Sequence, residues 1–180
     1  MQVIFESRND GGVGSTTIQN TSSSLFIQGV VERFNNIFST SVVGETSGTA
    51  ETPLITLGNL GILAGKLNRT ETHLKLVNFT NDGTKSGTIR IYLGGTIGET
   101  SYQYVDENNS SMVSDTTNTV VPSGATLVAS TQVVGLGSVV FDIGTLNIAL
   151  HHLETFTVTM QRNRSTNVEI SAAFTWQEVR

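Results

Sequence analysis

Val168-Glu169-Ile170-Ser171-Ala172-Ala173-Phe174-Thr175-Trp176 puts apolar side chains on the even positions almost without a break. A period of two sends alternate residues to opposite faces of an extended chain. The stretch is therefore a half-buried β-strand with one core face and one wet face. The rhythm returns at Phe156, Val158 and Met160, and again at Ile89, Ile91 and Leu93. Outward from these, strands are predicted near 53–58, 73–80, 87–94, 100–105, 117–121, 126–133, 138–144, 155–162 and 167–177. Asn81-Asp82-Gly83-Thr84-Lys85-Ser86-Gly87 and Arg162-Asn163-Arg164-Ser165-Thr166-Asn167 read as hairpin connections, rich in residues that accept positive φ or form Asx turns. Asp106 to Ser111 reads as a polar loop tip.

Composition agrees. Charged residues are only 14% of the 180, against roughly 25% in ordinary soluble domains, and Thr, Ser, Asn and Gly take their place. Long charged side chains support helices through i,i+4 pairs, whereas Thr and other β-branched residues suit a pleated surface. The length suits one domain with a single core. A net charge of −5, with ten scattered Lys and Arg, argues against nucleic acid, which demands a basic footprint. No cysteine is present, which excludes a disulfide scaffold and thiolate metal sites. Met1 to Gly12 shows no basic region followed by an apolar run, so no secretory signal is expected there. No apolar run approaches the roughly 18 residues of a membrane span. The sequons at Asn68 and Asn78 are what chance gives an Asn/Thr-rich chain.

Residues 1–24 read as an N-terminal arm and 25–180 as one sandwich domain. Residues 7–24 are polar and Gly/Ser/Thr/Asn-rich, with Val13 and Ile18 as the apolar punctuation, and bury too little surface to offset their ordering entropy alone. Ahead of them Val3, Ile4 and Phe5 form a short apolar hook. It reads either as a first strand of the sandwich or as an anchor into a partner. Phe26, Val30, Phe34 and Phe38 lie at helical spacing, but Gly29, Val30 and Val31 weaken a helix. A short helix near 29–36 running into a strand near 37–43 is the expectation.

An internal echo links Ile55-Thr56-Leu57-Gly58-Asn59-Leu60-Gly61-Ile62 with Phe141-Asp142-Ile143-Gly144-Thr145-Leu146-Asn147-Ile148. Each reads as a strand ending at Gly, followed by an apolar turn anchored by Leu and Ile. Two related halves, as in the paired Greek keys of a jelly roll, would produce it. So would one local problem solved twice.

Catalytic motifs are sparse. No Gly-x-Ser-x-Gly elbow exists, and the three histidines are His73 at a strand start and the adjacent pair His151 and His152, which point different ways on any regular element. Gly94-Gly95-Thr96-Ile97-Gly98 and Asp82-Gly83-Thr84-Lys85-Ser86 have the wrong spacing for phosphate loops. Glu99, Asp106, Glu107 and Glu154 sit where solvated acids are expected, and Asp106, Asn108 and Asn109 make an oxygen-rich tip without an EF-hand pattern. No catalytic residue, metal or cofactor is expected. Tyr92, Tyr102 and Tyr104 fall on or near the face opposite the core set, as amphipathic contact area for sugars or proteins or as rim packing.

Pro53-Leu54-Ile55-Thr56-Leu57-Gly58, the turn over 59–65, His73-Leu74-Lys75-Leu76-Val77-Asn78-Phe79-Thr80-Asn81, and Lys85-Ser86-Gly87-Thr88-Ile89-Arg90-Ile91-Tyr92-Leu93-Gly94-Gly95-Thr96 together resemble bacteriophage virion jelly-roll modules. Such modules occur at fibre tips and in capsid decoration proteins. The likeness covers residues 53–96, and Leu93 stands where the pattern usually has an aromatic before Gly94-Gly95. The resemblance implies an antiparallel β-sandwich, often homotrimeric, with a structural or adhesive role and no chemistry. The expectation is a non-enzymatic virion protein of the capsid decoration or head-fibre type, docking on capsid or another virion protein through Val3, Ile4 and Phe5. The alternative is a receptor- or glycan-binding fibre tip, with Tyr92, Tyr102 and Tyr104 facing a host-surface glycan.

Overall fold

The computed structural model describes residues 4–7, 16–19, 36–46, 49–98, 100–163 and 168–179. The chain divides into two units, Met1–Glu32 and Arg33–Arg180. In the first, β1 (Ile4–Ser7) and β2 (Thr16–Gln19) pair antiparallel, with Phe5 opposite Ile18. Val3, the side chains of Ile4 and Phe5, and residues 29–35 of the predicted helix lie outside the described residues.

The second unit is a two-layered antiparallel β-sandwich. Its long strands are β3 (Asn36–Thr46), β4 (Thr52–Asn59), β7 (Glu71–Asn81), β8 (Gly87–Leu93), β11 (Thr126–Val133), β12 (Gly137–Asp142), β14 (Thr155–Arg162) and β15 (Val168–Val179). Short pieces complete it: β5 (Ile62–Leu63) with β6 (Lys66–Leu67), β9 (Gln103–Tyr104), β10 (Met112–Asp115) and β13 (Ala149–Leu150). One sheet runs β11-β8-β14-β4-β10-β9; the other runs β12-β7-β15-β3, with β13 also on β7.

The pairing is nested. β3 pairs β15, β4 pairs β14, β7 pairs β12 and β8 pairs β11, and successive pairs alternate between the two sheets. A single long hairpin folded over and wound round a core gives this order, which is the jelly roll. Residues 94–125, joining β8 to β11, are the tip of that hairpin, and they carry β9 and β10 onto the free edge of β4.

Period two decides which residues go inside. Rows such as Leu57–Phe156–Leu93 and Ile55–Val158–Ile91 face rows such as Val77–Phe174 and Phe79–Ala172 across the core. Phe174 meets Phe79 of its own sheet and Phe156 of the other edge-to-face, at 6.4 and 6.5 Å between centroids. That geometry suits the ring quadrupoles. Alternation breaks at β4, where a register shift opposite Val158/Thr159 lets the consecutive Leu54 and Ile55 both reach the core.

Four sequence expectations need correction. The connections expected as hairpins at 81–87 and 162–167 join strands of different sheets, β7 to β8 and β14 to β15, because the core lies between the strands they link. The strand expected over 117–121 does not form; the pairing strand is β10, because Asp115 turns the chain with a bond from Thr117 N–H. Of 100–105 only Gln103 and Tyr104 pair. The apolar turn of the echo is not buried alike in its two copies: Ile148 is a core residue, whereas its counterpart Ile62 is 64% exposed, and the expected Leu anchor of the second copy, Leu146, is 45% exposed. Polar bonds from Asn59 and Asn68 hold the first turn instead.

Candidate functional site

The outer face of the six-stranded sheet carries the polar side chains most tightly organised by the fold. One row across it reads Asp115, Thr56, Thr157, Tyr92 and Leu127, on five neighbouring strands. Thr56 and Thr157 are fully buried and share a hydroxyl–hydroxyl bond of 3.1 Å. Next to this row Glu51 reaches over the sheet. It accepts bonds from Arg90 Nη1 (2.8 Å), from the Tyr92 hydroxyl (3.0 Å) and from the Thr159 hydroxyl. Arg90 also donates to Gln161, whose amide donates to the Thr49 carbonyl. The segment before β4 is thereby fastened across β8 and β14.

A second carboxylate organises the hairpin tip. Asp115 is 1% exposed; its Oδ1 accepts from Thr117 N–H and Oγ1–H, both 2.7 Å, and its Oδ2 accepts from Ser101 N–H at 3.1 Å. Burial pushes its pKa up, but the bonds from Thr117, Ser101 and Asn118 outweigh burial and hold it below the ordinary value. Tyr102, whose ring covers Gly58, is raised by its own burial first and by the Asp115 charge second. Tyr92 is raised by burial, then by its bond to Glu51 and the Glu51 charge, against the opposing pull of Arg90.

These directions fix a pH profile. A carboxylate with a depressed folded pKa contributes stability above its unfolded value, about 3.9, and loses it as pH falls through the folded one. Tyrosines with raised folded values contribute fully below about pH 10 and lose that contribution as pH rises through their folded values. Ser101 and Thr117 amide resonances should titrate with Asp115 below the ordinary carboxylate range. Asp115→Asn should bring the Tyr102 phenolate transition part of the way back toward its ordinary value, burial supplying the remainder. An unchanged Tyr102 titration in that variant would show that the Asp115 charge does not reach the phenol.

The structure brings the three tyrosines to one sheet face without bringing them together. Tyr92 is bound to Glu51, Tyr102 lies over Gly58, and Tyr104 on the outermost strand is 55% exposed. β8 and β9 stand four strand spacings apart, about 19 Å. The predicted acids take up local structure. Asp106 accepts from Asn108 N–H, Asn109 N–H and the Asn109 amide, so its carboxyl is held low chiefly by the Asn109 side chain. Glu154 accepts from His151 N–H and closes the turn holding the exposed His151 and His152. His73 stands 3.4 Å from Glu71. Glu99 lies outside the described residues. Among the described residues no three acidic or histidine side chains are placed to hold a metal ion.

Sequence reasoning missed the anchoring residues Glu51, Asp115 and Glu178. Glu178 is fully buried and accepts from the Ser110 hydroxyl (2.5 Å), from Ser111 N–H and hydroxyl, and from Trp176 Nε1–H (3.2 Å). The loop tip expected to be wet thus ends in two wholly buried serines. The missed signals were a Glu on the core-facing phase of β15 and an Asp-x-Thr turn at 115–117.

No protein-family model matches the chain, and no curated protein matches its sequence. A solved structure titled "Structure of infectious bursal disease virus Gx strain" aligns with 98% of this chain at 10% identity and a TM-score of 0.18. The chain spans 46% of that protein's length. At this TM-score the likeness carries no argument about fold or role.

Proposed function

We propose that this protein is a non-enzymatic structural component of a bacteriophage virion, of the capsid decoration or head-fibre type. In this reading residues 1–24 dock on capsid or another virion protein and the sandwich projects from the particle as a homotrimer. One observation carries the non-enzymatic part. The most buried carboxylates, Asp115 and Glu178, accept several bonds each from backbone and hydroxyl donors, and Glu51 is held by three side chains. Acids engaged in this way brace loops against sheets and have no free lone pair aimed at a cleft, where a general base must reach its substrate. The resemblance of residues 53–96 to virion jelly-roll modules supports the assignment to a phage particle, and the wound sandwich agrees with it.

Deleting residues 1–24 should abolish co-sedimentation with capsids of the encoding virus stripped of this protein. The β circular-dichroism spectrum and melting temperature of the remaining chain should stay close to those of the full chain. Unchanged co-sedimentation would overturn docking through the arm. Light scattering should give a trimer; a monomer would remove that part of the reading.

A further inference from the structure

We infer that the hairpin tip between β8 and β11 holds a binding site for a neutral saccharide, independent of docking through residues 1–24. The tip contains an open pocket of about 450 Å³ lined by Thr100, Ser101, Thr117, Asn118, Thr119 and Val120. That volume lies in the range of small-molecule sites. Its two walls, 100–101 and 117–120, are separate stretches of chain held together from beneath. Asp115 bonds Ser101 N–H on one side and Thr117 N–H and Oγ1–H on the other. The base of the tip is closed by reciprocal backbone bonds between Thr96 and Ser123, at 2.8 and 3.0 Å. The pocket is built before any ligand arrives, which spares the ordering cost of forming it on binding.

Its lining selects the ligand. Three hydroxyls, on Thr100, Ser101 and Thr119, can each donate or accept, while that of Thr117, which donates to Asp115, can accept. Asn118 is 7% exposed, and its Oδ1 is held by Val120 N–H at 3.0 Å. Its Nδ2 is buried with no hydrogen-bond partner among the described residues. A buried amide donor left unpaired is costly, and native structures seldom keep one without reason. An incoming hydroxyl oxygen is the group that would satisfy it after a small side-chain adjustment. No Lys or Arg lines the pocket, so an anion finds no counter-charge. Asp115 is already saturated by its own bonds, so a cation finds no vacant carboxylate. Val120, 57% exposed, supplies an aliphatic patch at the rim. Many two-way hydroxyl contacts, one amide donor and a C–H surface together match an uncharged sugar ring.

The test is an amide-resonance titration of the full chain with glucose, galactose, mannose, N-acetylglucosamine and their common disaccharides at millimolar concentrations. At least one of these should shift resonances confined to 98–120. Asn118→Asp exchanges the unpaired donor for an acceptor while keeping the bond to Val120, and should weaken that sugar by about tenfold or more. Should that variant misfold, Thr100→Val with Thr119→Val exchanges the hydroxyls of two exposed residues for methyl groups and should weaken binding with the melting temperature unchanged. No response to any neutral sugar would overturn the inference. So would shifts centred elsewhere on the sandwich, or a response only to sialic acid, glucuronate or inorganic phosphate. Capsid co-sedimentation by the Asn118 and threonine variants should be unaffected, which separates this site from the docking reading.

Discussion

Replacing Glu178 by alanine should lower stability by about 3–5 kcal/mol, the largest effect expected from a single polar side chain in this protein. The carboxylate is fully buried at the end of β15, and in every bond described above it is the acceptor. Alanine strands Ser111 N–H and Trp176 Nε1–H away from water, at about 1–3 kcal/mol for each orphaned donor. It also leaves an empty volume that the neighbouring sheet cannot fill without moving. For a chain of this size each kcal/mol is about 2–4 °C in Tm, so thermal melts should fall by roughly 10 °C. The chain has one tryptophan, and its indole is bonded to this carboxylate, so Trp176 fluorescence should report the loss directly.

Glu178→Gln distinguishes shape from polarity. Its amide places a donor among donors, against the Ser110 hydroxyl or Ser111 N–H, so it should recover little of what alanine loses. Ser111→Ala should cost less, and combined with Glu178→Ala should show a coupling of about 0.5–3 kcal/mol. Full additivity of the two would mean that the loop and β15 are not joined through this carboxylate. A Glu178→Gln protein as stable as the parent would mean that burial, and not acceptance of these bonds, explains the residue.

The parts of the fold legible in the sequence are those where the core face is apolar and the period is unbroken. β11, β14 and most of β15 lie where the sequence predicts them, but the strands on either side of 81–87 and of 162–167 do not pair: β7 and β8, and likewise β14 and β15, belong to different sheets, so alternation locates strands without telling which of them are neighbours. The tip 94–125 was not legible because side-chain bonds, not hydrophobic burial, shape it. Val113 and Met112 are buried in a strand of four residues, too short for a period to show, and the strand ends at the Asp115 turn. β15 reads Val168, Ile170, Ala172, Phe174, Trp176 on its inner face, and the next inner position is Glu178. A charged residue on that phase suggests that the strand has left the core, whereas here the core end is polar by construction. Satisfied buried acids are rare enough that composition never anticipates them. The tyrosines show the converse limit: period two placed them on the outer face, and distances across strands, which a sequence does not contain, kept them apart.

Asn59 is the second position where a single substitution should be severe, and it explains why the sequence echo misled. The first copy of the echo keeps Ile62 in solvent because its turn is held by amide bonds. Asn59 Nδ2 donates to the carbonyls of Thr70 and Leu150, both at 2.9 Å, and its Oδ1 accepts from Asn68 Nδ2 at 2.7 Å. Asn68 in turn donates to the Leu60 carbonyl and accepts from Thr70 N–H, so one pair of amides fixes the hairpin of β5 and β6, the approach to β7, and β13. An Asn68 engaged in this way, 3% exposed, is also closed to glycosylation in the folded state. Asn59→Ala leaves these buried carbonyls short of a donor and should cost about 3 kcal/mol, or roughly 6–12 °C in Tm. Asn59→Asp is sharper. It preserves the volume and the acceptor for Asn68, but turns a carboxylate oxygen toward the Thr70 and Leu150 carbonyls in a buried site. Stability at neutral pH should therefore fall in the order Asn, Ala, Asp, and the aspartate variant should regain part of its loss on acidification, as protonation restores a donor. An aspartate variant more stable than the alanine one at neutral pH would show that volume, not the direction of these bonds, is what the site requires.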